Sequence, residues 1–346
     1  MSGIERVCLS VNSICNLRCS YCYFFLEPDR LPQPDALSTD EIFTILSNVD
    51  CYGQRPEIDK RIKVNFVGSG EPLVSWAAIR DAIVRLNRES PNHRLRFYTV
   101  TNGLLLDAKI VSEMKSLNLS PSISLDGPAS LHDRTRLRHN GKGSHADVMR
   151  GIDALRAGGI PIAINTTLGR DVVLNLDTYF DFIEEQGFDK IIFGRLVDVP
   201  PDAAVSTEEF YWALQRIAEI KRERELDHIE IGNLEAYSRA LDGKPDRVCT
   251  MFGSTCGAGY YNIIYMQRDV YPCGRMFGQE QWKLGRFDEP LDLFPARMAA
   301  IVGRMRCVDH QQVAMDGPAG PDCLIEKQSS TYSSKARDQF VQWLAA

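Results

Sequence analysis

The sequence predicts an α/β fold: a partial (β/α)6, TIM-like barrel followed by a small cysteine-rich C-terminal domain. Three observations predict it. Short β-rich runs alternate with amphipathic stretches as far as about residue 200, the pattern of a parallel sheet with crossover helices. Six such units fall short of the eight of a closed barrel, so the sheet is expected to stay open, with functional residues at the C-terminal ends of its strands. Beyond residue 200 the alternation stops and half of the ten cysteines collect in the last hundred residues.

The strands are expected at residues 7–11, 64–67, 96–100, 121–125, 162–167 and 191–196, where apolar and β-branched residues cluster. Helical periodicity falls at 40–47, 79–87, 108–117, 146–157 and 176–185. "STDE" at Ser38 to Glu41 is a capping box ahead of the first helix. A Pro-containing connection then leads to a second box, Ser206 to Glu209, and a helix from 208 to about 225. These features divide the chain into a core at 1–205, a helical connection at 206–244, and a cysteine-rich domain with its tail at 245–346.

The chain has 346 residues, 44% apolar and 25% charged, an ordinary globular composition. A net charge of −6 without a Lys/Arg-rich run argues against a nucleic-acid surface. No apolar run is long enough to span a bilayer, and "MSGIERVCLSV" lacks the basic and apolar regions of a signal peptide. A cytoplasmic protein without membrane contact is expected. In that compartment clustered cysteines point to metal or catalysis rather than disulfides.

Cys15, Cys19 and Cys22 lie in "ICNLRCSYCYF", just after the first strand. A closed tetrahedral metal site takes four protein ligands, and iron–sulfur clusters commonly take four thiolates. Three thiolates leave one iron open, the condition for chemistry at a metal. Spacing alone leaves open a zinc knot completed from elsewhere, or three buried thiols. "GSGEP", residues 68–72, ends the second strand, and its glycines permit close backbone approach. "TVTNG", residues 99–103, ends the third strand, "SISLDGP", residues 122–128, the fourth, and "NTTL", residues 165–168, the fifth.

This ordered set resembles the radical S-adenosylmethionine (SAM) superfamily. The resemblance covers roughly residues 7–200. It implies that Cys15, Cys19 and Cys22 hold a [4Fe-4S] cluster whose fourth iron is chelated by SAM. The reduced cluster would then cleave SAM to a 5′-deoxyadenosyl radical that takes hydrogen from substrate. It also implies a flavodoxin- or ferredoxin-type electron donor. Tyr21 matches the aromatic position beside adenine. Gly68, Gly70 and Glu71 match the loop on the SAM ammonium, with Ser69 where the family usually has Gly. Asn102 belongs to the third strand's end, Ser124 matches the ribose contact, and Leu168 falls where backbone meets adenine. Arg134, in "LHDRTR", matches the carboxylate-pairing position, where a guanidinium fork suits its partner.

"CTMFGSTCGAGYYNIIYMQRDVYPCGRMFGQEQWKLG" resembles the opening of a SPASM domain. Cys249, Cys256 and Cys273 match three ligands of an auxiliary cluster. Beyond them only Cys307, His310 and Cys323 remain, enough for one cluster in a shortened, twitch-like version. Cys323 is expected as the fourth ligand, with Cys307 as the alternative and His310 as a surface histidine. Cys8 and Cys51 are expected to be plain buried thiols.

Twitch-like relatives often act on small metabolites, and a small metabolite of sugar, aminocyclitol or nucleoside type, as in antibiotic biosynthesis, is the expected substrate. Arg195, at the sixth strand's end, would suit a carboxylate or phosphate on it, its alternative being a rim arginine in a surface ion pair. The competing expectation is a precursor peptide, although a first strand starting at residue 7 leaves no room ahead of it for a peptide-binding wing. Relatives that oxidise sulfatase serine or cysteine place an Asp base directly after "YPC"; here that position is Gly274. A non-enzymatic iron–sulfur sensor or electron-transfer protein is the remaining reading.

Overall fold

The computed structural model describes residues 3–26, 35–58, 60–197, 199, 203–245, 249, 252, 254–309, 323 and 333–346. The chain runs β1 (Arg6–Ser10), α1 (Tyr23–Leu26), α2 (Thr39–Gly53), β2 (Ile62–Phe66), α3 (Trp76–Glu89), β3 (Leu95–Thr101), α4 (Ala108–Ser116), β4 (Leu119–Ser124), α5 (Ala129–Thr135) and α6 (His145–Gly158). It continues with β5 (Ala163–Leu168), α7 (Arg170–Val173), α8 (Leu176–Gln186), β6 (Lys190–Arg195), α9 (Thr207–Glu223), β7 (Glu230–Ile231) and α10 (Gly232–Leu241). The tail adds β8 (Asn262–Met266), β9 (Asp269–Tyr271), β10 (Gly285–Arg286), α11 (Leu293–Asp309) and α12 (Ser334–Ala345).

Among the described residues, ten strands form one open sheet, ordered β10-β9-β8-β1-β2-β3-β4-β5-β6-β7. The β1 to β6 ladder is parallel throughout, as expected of a partial barrel. Both predicted capping boxes are present, at Ser38/Glu41 and Ser206/Glu209. The first long helix runs to Gly53, past the expected 47, because Val49, Asp50 and Tyr52 are buried and extend its inward face.

Alternation along the strands divides two environments. Ile123 and Ile164 point into the helix-covered core and are fully buried. Ser124, Asn165 and Thr167 line the concave side instead, as period-2 geometry requires. Small polar side chains there leave the barrel interior unfilled at its C-terminal end, and the cavity begins at that point.

The sequence reading missed how the tail joins the core. "NIIYM" forms β8, which pairs in parallel with β1 from Arg6↔Asn262 to Ser10↔Met266. β9 folds back antiparallel on β8, and β10 on β9. The tail therefore enters the sheet directly beside the strand that precedes the cysteine triad. Cys8 is largely enclosed, and burial raises its thiol pKa. Cys51 corrects the expectation: it is exposed, on the outer side of α2. Among the described residues no helix is long and apolar enough to cross a membrane.

Candidate active site

The cysteine triad sits on a loop held at several backbone points. Asn12, just beyond β1, accepts from Ile14 N at 2.9 Å and donates to Glu71 O at 3.0 Å and Ser75 Oγ at 2.9 Å. Arg18 N donates to Leu137 O at 2.7 Å and Ser20 N to Thr135 O at 2.8 Å, strapping the loop to the segment after α5. Cys15, Cys19 and Cys22 then face one cavity of about 440 Å³. None is in a disulfide. Burial is the main cause that lifts the Cys15 thiol to about 12 and Cys19 to about 11, with Arg136 opposing it at Cys19 and neighbouring Cys22 adding to it at both. Enclosed sulfurs that raise one another in this way suit a shared cationic iron centre, which stabilises thiolates. Leu17 N–H at 3.4 Å and Asn102 Nδ2 at 3.9 Å already point at Cys15 Sγ, as donors to a cluster ligand do.

The glycine loop after β2 packs against this one. A Cβ on Gly70 would lie 2.0 Å from Asn12 Oδ1 and 2.6 Å from Ile14 O. One on Gly68 would lie 2.1 Å from Ser10 Cβ. Close approach, rather than a special φ, is the reason for both glycines. Ser69 fills its place without strain: its hydroxyl donates to Asn12 O at 3.1 Å, and its N–H donates to Ser10 Oγ at 3.0 Å. Glu71 is 3% exposed. Its carboxylate accepts from Leu73 N at 3.0 Å, Thr101 Oγ1 at 2.6 Å and Asn102 N at 2.8 Å. Burial raises its pKa, opposed by those bonds. A carboxylate has about four acceptor sites, so capacity remains for an ammonium in the cavity.

Across the cavity, Arg136 pairs with Asp126 through Nε–Oδ2 at 2.7 Å. Asp126 also accepts from Tyr21 Oη at 2.7 Å and Thr167 N at 2.8 Å. Burial works against its charge, but the guanidinium of Arg136 and these bonds hold its carboxyl below the usual range. The guanidinium lies 5.5 Å from the Tyr21 ring centre. Behind them His132 is fully buried. Its Nδ1 accepts from Asp126 N at 3.3 Å, which leaves the proton on Nε2 to donate to Ser144 Oγ at 3.0 Å, and Ser144 donates to Arg136 O at 2.8 Å. Burial, with Arg136 adding to it, pushes His132 down to about 4, so the ring is neutral.

The sequence-expected residues divide clearly. Tyr21, Gly68, Gly70, Glu71, Asn102 and Ser124 all line the cavity. Arg134 does not: it is about half exposed and pairs with Asp171 at 2.9 Å. Arg136, two residues on, is the buried arginine that faces the cavity, and the sequence reading missed it. Leu168 is fully buried, and its carbonyl accepts from Leu196 N at 3.1 Å; Asn165 and Thr167 present the fifth strand's end instead. Arg195 lines the cavity and is 5% exposed, so it is no rim residue. It donates to Val205 O at 3.1 Å and Thr207 Oγ1 at 3.2 Å.

Cys249, Cys256, Cys273 and Cys323 line the same cavity as the triad. Burial first, then the thiols of Cys323 and Cys256, raise Cys273 to about 12. Four cysteines are the usual ligand number of one closed cluster. Gly274 also lines the cavity, so no side chain projects from the position after Cys273. The side chain of Cys307 and all of His310 lie outside the described residues.

A sheet that is open and parallel from β1 to β6, with three cysteines in the loop after its first strand, fits the class of iron–sulfur enzymes of partial-barrel type. Residues 9–183 match the Radical SAM superfamily, and the chain belongs to that family. A [4Fe-4S] cluster and SAM are therefore its cofactors. It is 23% identical over 304 residues to a cysteine-type anaerobic sulfatase-maturating enzyme of Clostridium novyi, covering 84% of this chain and 78% of that one. Among solved structures it resembles native anSMEcpe with bound AdoMet, with a TM-score of 0.71 at 18% identity, covering 84% of this chain and 80% of that one. It also resembles Streptococcus suis SuiB bound to the precursor peptide SuiA, with a TM-score of 0.66 at 16% identity, covering 88% and 67%.

Proposed function

We propose that this radical SAM enzyme modifies a side chain of a peptide substrate. The observation that carries the reading is the sequence relation to a sulfatase-maturating enzyme, which runs through both the barrel and the cysteine-rich tail. Likeness in fold to a protein solved with a precursor peptide agrees with it. The small-metabolite expectation has no comparable support. Gly274, where those maturases would carry an Asp base, favours a peptide modification other than their serine or cysteine oxidation.

When bound, the cluster and SAM supply reductive cleavage of the sulfonium and a carbon radical that takes a substrate hydrogen. The chain's own residues would hold and shield that chemistry. Cys15, Cys19 and Cys22 ligate the cluster. Glu71 receives the SAM ammonium, and Arg136, fixed by Asp126, receives its carboxylate. Tyr21 and Ser124 flank the nucleoside. Cys249, Cys256, Cys273 and Cys323 would hold one auxiliary cluster in the same cavity, and Arg195, bonded to Val205 O and Thr207 Oγ1, braces its wall.

The test is substrate turnover by the anaerobic, reduced enzyme with SAM. It is offered short peptides encoded beside its gene, and separately sugars and nucleosides. The reading expects a mass change in a peptide, with matching 5′-deoxyadenosine. Turnover of a sugar or nucleoside alone would overturn it.

A further inference from the structure

Arg275 acts on two of the four tail cysteines. It lies in the short helical turn Gly274–Met276 that follows Cys273. Gly274 has no side chain, so Arg275 carries the first one beyond Cys273, and both residues line the cavity. Successive backbone bonds close the turn, from Met276 N to Cys273 O at 3.0 Å and from Gln279 N to Met276 O at 3.2 Å. Gln279 Nε2 also donates to Arg275 O, at 3.4 Å. From this fixed base the guanidinium reaches a cysteine 48 residues further along the chain, where Nη1 donates to Cys323 Sγ at 3.9 Å. Cys323 is buried. At Cys273 burial raises the thiol, and Arg275 opposes the rise through its backbone N–H and its charge. One residue thus favours negative charge on two sulfurs at once.

We propose that Arg275 is a positioning residue for the auxiliary cluster: it grips Cys323 and raises the cluster's reduction potential by stabilising the reduced state. The inference rests on the assignment of that cluster to Cys249, Cys256, Cys273 and Cys323. Reduction by one electron adds one negative charge to the cluster. Hydrogen bonds to its sulfurs and a nearby cation lower the energy of the more negative state, and the potential rises with them. In a largely buried site that effect is little screened by salt. An Asp directly after Cys273 would place negative charge here; this chain has Gly274 and then a cation.

The experiment is a redox titration, followed by electron paramagnetic resonance, of the anaerobically reconstituted full chain. The chain carries Cys15→Ala/Cys19→Ala/Cys22→Ala, so that only the auxiliary cluster titrates. Adding Arg275→Gln should lower the ratio of reduced to oxidised cluster about tenfold at a fixed applied potential, which for one electron is a shift of about 59 mV to lower potential. Arg275→Lys keeps the charge but not the planar fork, and should show a smaller shift of the same sign. Iron should stay at about four per chain in both. An unmoved potential in both variants would overturn the proposal. So would loss of iron from Arg275→Gln together with an unmoved potential in Arg275→Lys, which would make Arg275 a structural tie and nothing more. If the unaltered chain holds only about four irons and the chain without the triad holds none, the auxiliary-cluster assignment itself falls, and this proposal with it.

Discussion

Arg134 and Arg136 stand two residues apart at the end of α5, and only one faces the cavity. The sequence motif "LHDRTR" offers both, and periodicity does not choose between them. Burial chooses: Arg136 is 8% exposed, with Asp126 beside it, while Arg134 reaches outward to Asp171. Arg136→Lys keeps the charge but loses the fork that grips Asp126 and a carboxylate together. It should weaken SAM binding by at least about tenfold, measured by equilibrium binding to the reconstituted enzyme. Arg134→Ala removes only an exposed pair, worth at most about 1 kcal/mol, and should leave binding near its original value. His132 makes a separate prediction. Its pKa falls from an ordinary 6.5 to about 4 on folding because burial and Arg136 oppose its charge. Between those values the unfolded chain binds more protons, so His132 destabilises the fold as pH drops through that window. Thermal melts of the protein between pH 7 and 5 should show a shallower decline for His132→Asn than for the unaltered chain.

The loops that end β1 and β2 work as one element. Gly70 lies against Asn12 and Ile14, and Asn12 in turn holds Glu71 and Ser75, so the cysteine loop and the glycine loop cannot shift independently. Gly70→Ala must displace backbone at Ile14 and should cost about 1–3 kcal/mol, the usual cost of overpacking, read as a lower unfolding midpoint and poorer iron retention. Both capping boxes and all six core strands were legible in the sequence, because each leaves a local signal of period or cap. The cavity ring of Gly68, Glu71, Asn102 and Ser124 was legible for the same reason: each ends a strand. Asn12, Asp126, His132 and Arg136 were not, since their roles come from contacts between segments far apart in sequence. β8 was missed because "NIIYM" is a short apolar run among cysteines, and only its pairing with β1 identifies it.

At the scale of the molecule, a single sheet brings both cysteine sets to one cavity. β8 pairs with β1, the strand that precedes the triad, and Cys249, Cys256, Cys273 and Cys323 line the same cavity as Cys15, Cys19 and Cys22. That geometry predicts two cubane clusters, about eight irons per chain after anaerobic reconstitution. Cys323→Ala should reduce this to about four while the triad's cluster remains; loss of all iron would instead point to general unfolding. The central claim is that three thiolates and an open iron act on SAM. The most direct measurement is 5′-deoxyadenosine formed from SAM by the dithionite-reduced, anaerobically reconstituted enzyme, beside its Cys19→Ala variant. The account predicts steady formation by the former and none by the variant. No 5′-deoxyadenosine from the unaltered enzyme, or equal amounts from both, would contradict it.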